Sequence, residues 1–334
     1  MTQGTTIHES RIWIDGCFDF FHHGHANAIF QARQHGSELY IGVHSDEEIT
    51  ANKGPTVMNL VEREVAVDAN KWTTKTIINA PYVTQPEWMD EYGCKYVVHG
   101  DDITTDANGN DCYGIVRDQG RLILVKRTEG VSTTDLINRL LMPEWKEHYV
   151  KDIHQKCEEN LQLLKNFATA EDGKTAYDDI WYISGDGKLN EVTRAGEKKY
   201  GCYVHGTFDL FNPFHITVLK ELKQKYGTVL VGVYPDGAPE HTTMDILQRS
   251  LCVLQCKYVD GIILGAPLSY EPVIDGKKIE PVLDVKSFEN KFDYLKDGGI
   301  EKRIQQHHDL YIERQRKKGA KAELEQMMKE AQTA

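Results

Sequence analysis

The stretch Trp13-Ile14-Asp15-Gly16-Cys17-Phe18-Asp19-Phe20-Phe21-His22-His23-Gly24-His25-Ala26 joins an apolar run to a helical pattern through a turn bearing a His-x-Gly-His tetrad. Arg11 to Ile14 reads as a short strand closed by Asp15-Gly16, and Ala28, Ile29 and Ala32 then recur at helical spacing. His22 and His25 therefore fall where a helix begins, beside free backbone N–H groups and the positive end of the helix dipole. Phosphate oxygens bind at such places. Gly24 between them lets a substrate approach the backbone. A lone histidine here reads as a cap or a surface residue, whereas two bracketing a glycine point to nucleotide chemistry.

A second motif of the same kind lies near residue 130. The strand pattern Leu122-Ile123-Leu124-Val125 leads through Arg127-Thr128-Glu129-Gly130-Val131-Ser132-Thr133-Thr134-Asp135 into the helical pattern Leu136 to Leu141. Ser132 is placed to cap that helix, with Asp135 in the capping-box position. Arg127, the hydroxyls of Ser132, Thr133 and Thr134, and the helix N–H groups together offer many donors to a polyphosphate.

Between the motifs the chain alternates. Leu39–Val43, Thr76–Ile78 and Tyr96–His99 read as further strands, with helical stretches near 25–35, 60–71, 86–92 and 111–119. That rhythm predicts an α/β fold with a parallel sheet covered by helices on both faces. In such sheets ligands sit beyond the carboxyl ends of the strands. His22 and His25, His44-Ser45-Asp46, His99-Gly100-Asp101-Asp102 and Arg127 all follow strand ends, so one pocket is expected to gather them.

The tetrad with its GCFD lead, KGPTVMN at Lys53–Asn59, Glu62-Arg63 and RTEGVSTT resemble the cytidylyltransferase family of the HxGH nucleotidyltransferases. HGDDIT, GVHSDEEI and APYVT resemble its members that act on phosphoethanolamine. The resemblance covers residues 10–141 and, more weakly, 198–334. It implies transfer of the cytidylyl group from CTP to a phosphorylated alcohol with release of pyrophosphate.

The second region is a copy of the first. Gly16, Phe18, Asp19, Phe21, His25, Gly42, Val43 and Asp46 recur as Gly206, Phe208, Asp209, Phe211, His215, Gly232, Val233 and Asp236, each 190 positions on. Met58, Arg63 and Ala80-Pro81 recur 186 positions on, as Met244, Arg249 and Ala266-Pro267. The copy lost four residues in an interval that contains Lys53. His22 has become Asn212 and Gly24 has become Phe214, and neither RTEGVST nor HGDD recurs. The prediction is two tandem Rossmann-like nucleotidyltransferase domains plus a C-terminal helix, with the second domain degenerate and non-catalytic. The boundaries are 1–150 for the catalytic domain, 151–197 for a polar linker and 198–334 for the copy. The copy is expected to pack, orient or regulate the first domain, as an intramolecular pseudo-dimer with homodimerisation left open.

Bulk properties agree. The 334 residues suffice for two cores, and a net charge of −12 argues against a nucleic-acid partner. Lys53, Arg63, Lys126 and Arg127 remain as local cations for a nucleotide. Seven scattered cysteines without a C-x-x-C fit free thiols in a reducing, cytoplasmic setting, with Cys252 and Cys256 as core residues. The N-terminus is polar, and no apolar run reaches membrane-spanning length. The tail from Ile300 has only a thin apolar stripe, which allows at most peripheral membrane contact. The lipid-sensing helix common in choline-phosphate relatives is missing.

The resemblance also implies roles. His22, His25, Lys53 and Arg127 would be catalytic, the histidines at the transferring phosphoryl and Lys53 between the reacting phosphates. CTP would be bound by Gly16, Cys17, Phe18, Gly24, His99, Asp101, Arg127, Thr128, Val131, Ser132 and Thr133. Phosphoethanolamine would meet Asp15, Lys53, Tyr82 and Asp102. Mg²⁺ would come on the CTP phosphates, with no protein-ligated metal site. Asp19 is assigned to the turn, and His23 is a bystander. Two acids with few aromatics suit a primary ammonium better than a quaternary one. Choline-phosphate or glycerol-3-phosphate transfer, adenylyl transfer and a non-catalytic nucleotide sensor remain as alternatives.

Overall fold

The computed structural model describes residues 6–102, 104–142, 149–239, 241–296, 298–317 and 319. The first repeat runs β1 (His8–Gly16), α1 (His23–Arg33), β2 (Glu38–His44), α2 (Asp46–Lys53), α3 (Leu60–Asp68), β3 (Lys75–Ala80), α4 (Pro86–Glu91), β4 (Cys94–Gly100), α5 (Gly114–Asp118), β5 (Leu122–Val125) and α6 (Thr133–Leu141). Its five strands are all parallel, in the order β3-β2-β1-β4-β5. The central β1 is buried from Ile12 to Asp15, as a strand covered on both faces must be. Order reverses between β1 and β4, so the loop after β1 opens onto the crevice where α/β sheets take their ligands. The one element of this repeat that the periodicity missed is α2, capped by Ser45.

The second repeat follows as α7 (Ile153–Glu159), α8 (Leu161–Phe167), β6 (Asp179–Ile183), β7 (Leu189–Thr193), β8 (Cys202–Gly206), α9 (Pro213–Tyr226), β9 (Val229–Val233), α10 (Ile246–Leu254) and β10 (Gly261–Leu264). A hairpin of β11 (Val273–Ile274) and β12 (Lys277–Lys278), then β13 (Val282–Asp284), α11 (Gly299–Gln306) and a helix over 308–317, here α12, complete it. Its sheet order is β13-β8-β9-β10-β6-β7. The run β10-β9-β8-β13 repeats β3-β2-β1-β4.

The segment 151–197, expected to be a linker, is instead structural. Its β6 pairs parallel with β10, and β7 closes the edge antiparallel to β6. Asp179-Ile180-Trp181-Tyr182-Ile183 is buried throughout. Five residues of strand were hidden there by the polar composition around them, so the second sheet begins near residue 179 rather than 198. Part of the C-terminal tail, residue 318 and residues 320–334, lies outside the described residues.

The duplication reaches single hydrogen bonds. Arg63 and Arg249 are both fully buried. Arg63 donates from Nε to the Met58 carbonyl at 3.1 Å, from Nη1 to Cys17 at 2.7 Å and from Nη2 to His44 at 2.8 Å. Arg249 repeats the set on Met244, Thr207 and Tyr234 at 3.1, 2.6 and 2.9 Å. Each also pairs with the matching aspartate, Asp46 or Asp236, at 2.7 Å. Arg63 thus ties turns together, and it is not the nucleotide cation expected of it.

Between the repeats the contacts are reciprocal. The helix α1 packs on α10, the counterpart of α3, while α3 packs on α9, the counterpart of α1. Asn70 bridges antiparallel to Cys256, the residue 186 positions on that occupies its own place in the copy. Self-pairing of this kind is the contact pattern of a two-fold interface.

Candidate active site

The turn after β1 holds two phenylalanines, Phe18 and Phe20, at φ of 54° and 49°, which swing the chain into α1. Asp19 fixes that turn. Its buried carboxylate accepts from the Val57 and Met58 N–H groups at 3.0 and 2.8 Å. His22 then caps α1, its Nδ1 accepting from the Gly24 N–H at 3.1 Å. His25 Nδ1 accepts from the His22 N–H at 3.4 Å, and the two imidazoles stack at 3.8 Å. A backbone donor at each Nδ1 places the proton of the neutral ring on Nε2. Both histidines are thereby set as Nε2–H donors. Gly24 has no room for a side chain: a Cβ would meet His22 Nδ1 and Val131 Cγ1, both at 2.9 Å.

These residues form one end of a cavity of about 490 Å³. Opposite them stands the N-terminus of α6, where Ser132 Oγ accepts from the Asp135 N–H at 3.0 Å. The reciprocal half of the expected capping box is missing, because the Asp135 carboxylate turns to Arg139 at 2.7 Å. Thr133 Oγ1 donates to the Asp19 carbonyl at 2.8 Å and so ties the two ends together. Thr134 stands outside the cavity wall.

Lys53, on the last turn of α2, lines the same space. So do Gly16, Cys17, Phe18, His99, Arg127, Thr128 and Val131. Burial pushes the pKa of His99 down, and its Nδ1 donates to the Gly100 carbonyl at 3.0 Å, which leaves Nε2 as an acceptor. Arg127 Nη1 bonds Asp102 at 3.1 Å. Asp15 is buried and accepts from Trp13 Nε1, Thr84 Oγ1 and Tyr113 Oη at 2.8, 2.7 and 2.7 Å.

Two expected positions stand elsewhere. Asp101 lies outside this cavity, in a neighbouring cleft, and accepts from the Arg127 N–H at 3.2 Å. Tyr82 is buried behind Lys53, whose ammonium is 5.3 Å from its ring, and its hydroxyl donates to the Thr105 carbonyl. His44 is buried beside it, its pKa lowered by burial, with Nδ1 donating to the Ala80 carbonyl. His23, expected to be a bystander, is buried away from the cavity, and burial holds its pKa at about 4.

Two further cations line the cavity that the sequence did not disclose, Arg314 and Lys317 of α12. Arg314 Nη1 reaches Asp19 at 3.1 Å.

In the second repeat Asn212 repeats the cap on the Phe214 N–H at 3.0 Å, and the Asn212 N–H donates to His215 Nδ1 at 3.3 Å. The fold of the turn survives. The imidazole of His22 has no counterpart, because Asn212 stands there, and Phe214 is buried with its ring edge-on to His215.

A family model described as cytidylyltransferase-like matches residues 13–139 and 203–317, one segment in each repeat. The chain is 39% identical to the probable ethanolamine-phosphate cytidylyltransferase of Schizosaccharomyces pombe, covering 95% of this chain and 96% of that one. It is 39% identical to the ethanolamine-phosphate cytidylyltransferase of Saccharomyces cerevisiae, over 92% and 97%. The choline-phosphate cytidylyltransferase A of Mus musculus is also 39% identical, but over 39% of this chain and 36% of its own. With both repeats matched and these relatives covered over nearly their whole length, the chain belongs to the cytidylyltransferase-like family.

Proposed function

We propose that this chain transfers the cytidylyl group of CTP to phosphoethanolamine, giving CDP-ethanolamine and pyrophosphate for phospholipid synthesis. The observation that carries the reading is the cavity itself. Two imidazoles locked as Nε2–H donors face a hydroxyl-bearing helix N-terminus across it, with Lys53 and Arg127 between. A phosphate oxygen of phosphoethanolamine attacks the α-phosphorus of CTP in line, and the bond from that phosphorus to the bridging oxygen breaks. Negative charge grows on the bridging oxygen and shifts among the equatorial ones. Fixed donors that strengthen as this charge develops supply most of the catalysis in such transfers.

His22 and His25 meet the transferring phosphoryl and its bridging oxygen. Lys53 spans the two reacting phosphates. Ser132, Thr133 and the free N–H groups of α6 hold the leaving pyrophosphate, with Arg127 beside them. His99 Nε2, an acceptor, suits the cytosine amino group. Among the described residues no group of three His, Cys, Asp or Glu side chains gathers to hold a metal, so Mg²⁺ would come on the triphosphate and be held chiefly by its oxygens. When bound it supplies neutralisation of triphosphate charge.

The ethanolamine head group is favoured by Asp15. Its Oδ1 takes one hydrogen bond, leaving acceptor capacity, and among the described residues Asp15 forms no ion pair. A primary ammonium can donate there and at Asp102. The relatives named for phosphoethanolamine align over nearly the whole chain, whereas the choline-phosphate relative aligns over one repeat's length.

The two repeats act as an intramolecular pseudo-dimer, a reading supported by their reciprocal contacts. Among the described residues no helix is long and apolar enough to cross a membrane. The free cysteines suit a reducing, cytoplasmic setting. Pyrophosphate release with CTP and Mg²⁺ tests the proposal. Phosphoethanolamine is expected to be preferred over phosphocholine by about 10²-fold in kcat/KM, because the methylated ammonium has no N–H to give the acids. No release with phosphoethanolamine, or equal rates, would overturn it.

A further inference from the structure

Three consecutive backbone carbonyls of the loop that follows Lys53 are each held by a side chain from the far end of the chain. Pro55 accepts from Arg314 Nη1 at 2.7 Å, Thr56 from Tyr311 Oη at 3.1 Å and Val57 from Arg303 Nη1 at 2.7 Å. Arg303 lies on α11, while Tyr311 and Arg314, three residues apart, share a face of α12. Arg303 also grips both oxygens of Glu62 at 2.7 and 2.8 Å, and Glu62 is the buried capping residue at the start of α3. The α12 helix reaches the opposite wall as well. Gln315 Nε2 donates to the Thr134 carbonyl at 2.7 Å and to Asn138 Oδ1 at 2.9 Å, both on α6.

We propose that α11 and α12 form a clamp that sets the Lys53 loop against the phosphate helix α6, with Arg314 as the positioning residue. Turnover in the first repeat then depends on helices belonging to the second. Arg314 has the geometry for this. Its side chain is buried, it reaches Asp19 and the Pro55 carbonyl together, and its Nε is buried at the cavity with no hydrogen-bond partner among the described residues. Its stem lies against Gly54, where a Cβ would approach Arg314 Cγ to 3.3 Å. Gly54 ends α2 at a φ of 88°, next to Lys53, so the turn that aims the lysine is packed on the arginine. The counterpart Asp209 takes the same two backbone donors, from Thr243 and Met244, at 2.6 and 3.0 Å. Among the described residues no arginine pairs with it. The clamp acts on the first repeat alone.

The inference rests on the nucleotidyl-transfer reading, and a double-mutant cycle between Arg314 and Lys53 tests it with CTP affinity and turnover measured separately. Arg314→Ala is expected to raise KM for CTP and lower kcat, together about 10²-fold in kcat/KM, by misplacing Lys53. In a Lys53→Ala background the same change should cost under about twofold, since there is no lysine left to place. Arg314→Lys should recover part of the loss. If Arg314→Ala fails to fold, Tyr311→Phe keeps the ring, removes one of the three bonds and supports the same cycle with a smaller effect. Losses that simply multiply across the cycle, or an Arg314→Ala enzyme with full turnover, would overturn the clamp. A wild-type chain that binds CTP without turnover would instead sink the transferase reading. The clamp would then still show as coupled losses in CTP affinity.

Discussion

Lys71 and Lys257 stand 186 positions apart in the sequence and donate reciprocal backbone hydrogen bonds, Lys71 to the Gln255 carbonyl and Lys257 to the Ala69 carbonyl, each at 2.9 Å. Ala69 and Gln255 are themselves counterparts. The two bonds are one bond seen from each side of a two-fold interface, now covalently joined. Of the two repeats, only the first carries the imidazole pair, the glycine and the lysine.

The replacements at Asn212 and Phe214 give an asymmetric prediction. His25→Ala should lower kcat by about 10²–10⁴-fold with little change in thermal stability, because the proposed mechanism makes His25 a donor to the transferring phosphoryl. His215→Ala should leave kcat within about twofold. Steady-state pyrophosphate release by both variants is the check, and equal losses would mean the second repeat is catalytic.

Gly24→Ala should be more damaging than the small added volume suggests. The new methyl would sit 2.9 Å from His22 Nδ1 and from Val131 Cγ1. The imidazole must shift, and a misplacement near 1 Å costs about 10²-fold in rate. A crystal structure of the variant should show His22 displaced. An unmoved imidazole with normal kcat would contradict this.

At the interface, the Lys71 ammonium pairs with Asp178 and donates to the Phe167 carbonyl at 3.1 Å, with both charged side chains almost fully buried. Burial pushes the Asp178 pKa up to about 6 in spite of the lysine. Lys71→Met should therefore cost about 3–5 kcal/mol by stranding the carboxylate, and Lys71→Met with Asp178→Asn should recover most of it. Denaturant unfolding of the two variants is the measurement. A single variant as stable as wild type would show that the pair bears no charge.

His23 makes stability pH-dependent. Burial first, and the nearby Arg139 second, hold its pKa at about 4, against 6.5 when unfolded. The folded state binds the neutral ring, so this contribution is complete above pH 6.5 and is lost as pH falls towards 4. The loss is about 3 kcal/mol. Unfolding free energies of wild type and His23→Leu should therefore converge or cross over that window. Parallel curves would contradict the assignment.

Much of this was legible in the chain because local chemistry and global fold agree. The His-x-Gly-His turn, the Ser132 cap and the 190-residue echo each use short-range rules, and the cavity gathers Lys53, His99 and Arg127 because strand order sends their loops to one crevice. What could not be read shares a different property. Arg303, Tyr311 and Arg314 look like an ordinary charged helical tail, and each holds a bare backbone carbonyl some 240–260 positions away, with Glu62 and Asp19 the added partners of the two arginines. Backbone acceptors leave no residue-specific trace in a sequence. The strand at Asp179–Ile183 was masked by its polar flanks, and Arg63 looked like a nucleotide cation because its three carbonyl partners are equally silent.

The most direct measurement is a crystal structure of the chain with CTP and Mg²⁺. One nucleotide per chain is expected, in the first repeat, with its phosphates between the Nε2 atoms of His22 and His25 and the α6 N-terminus at Ser132. Nucleotide bound at Asn212 and His215 of the second repeat, with the first repeat empty, would contradict it.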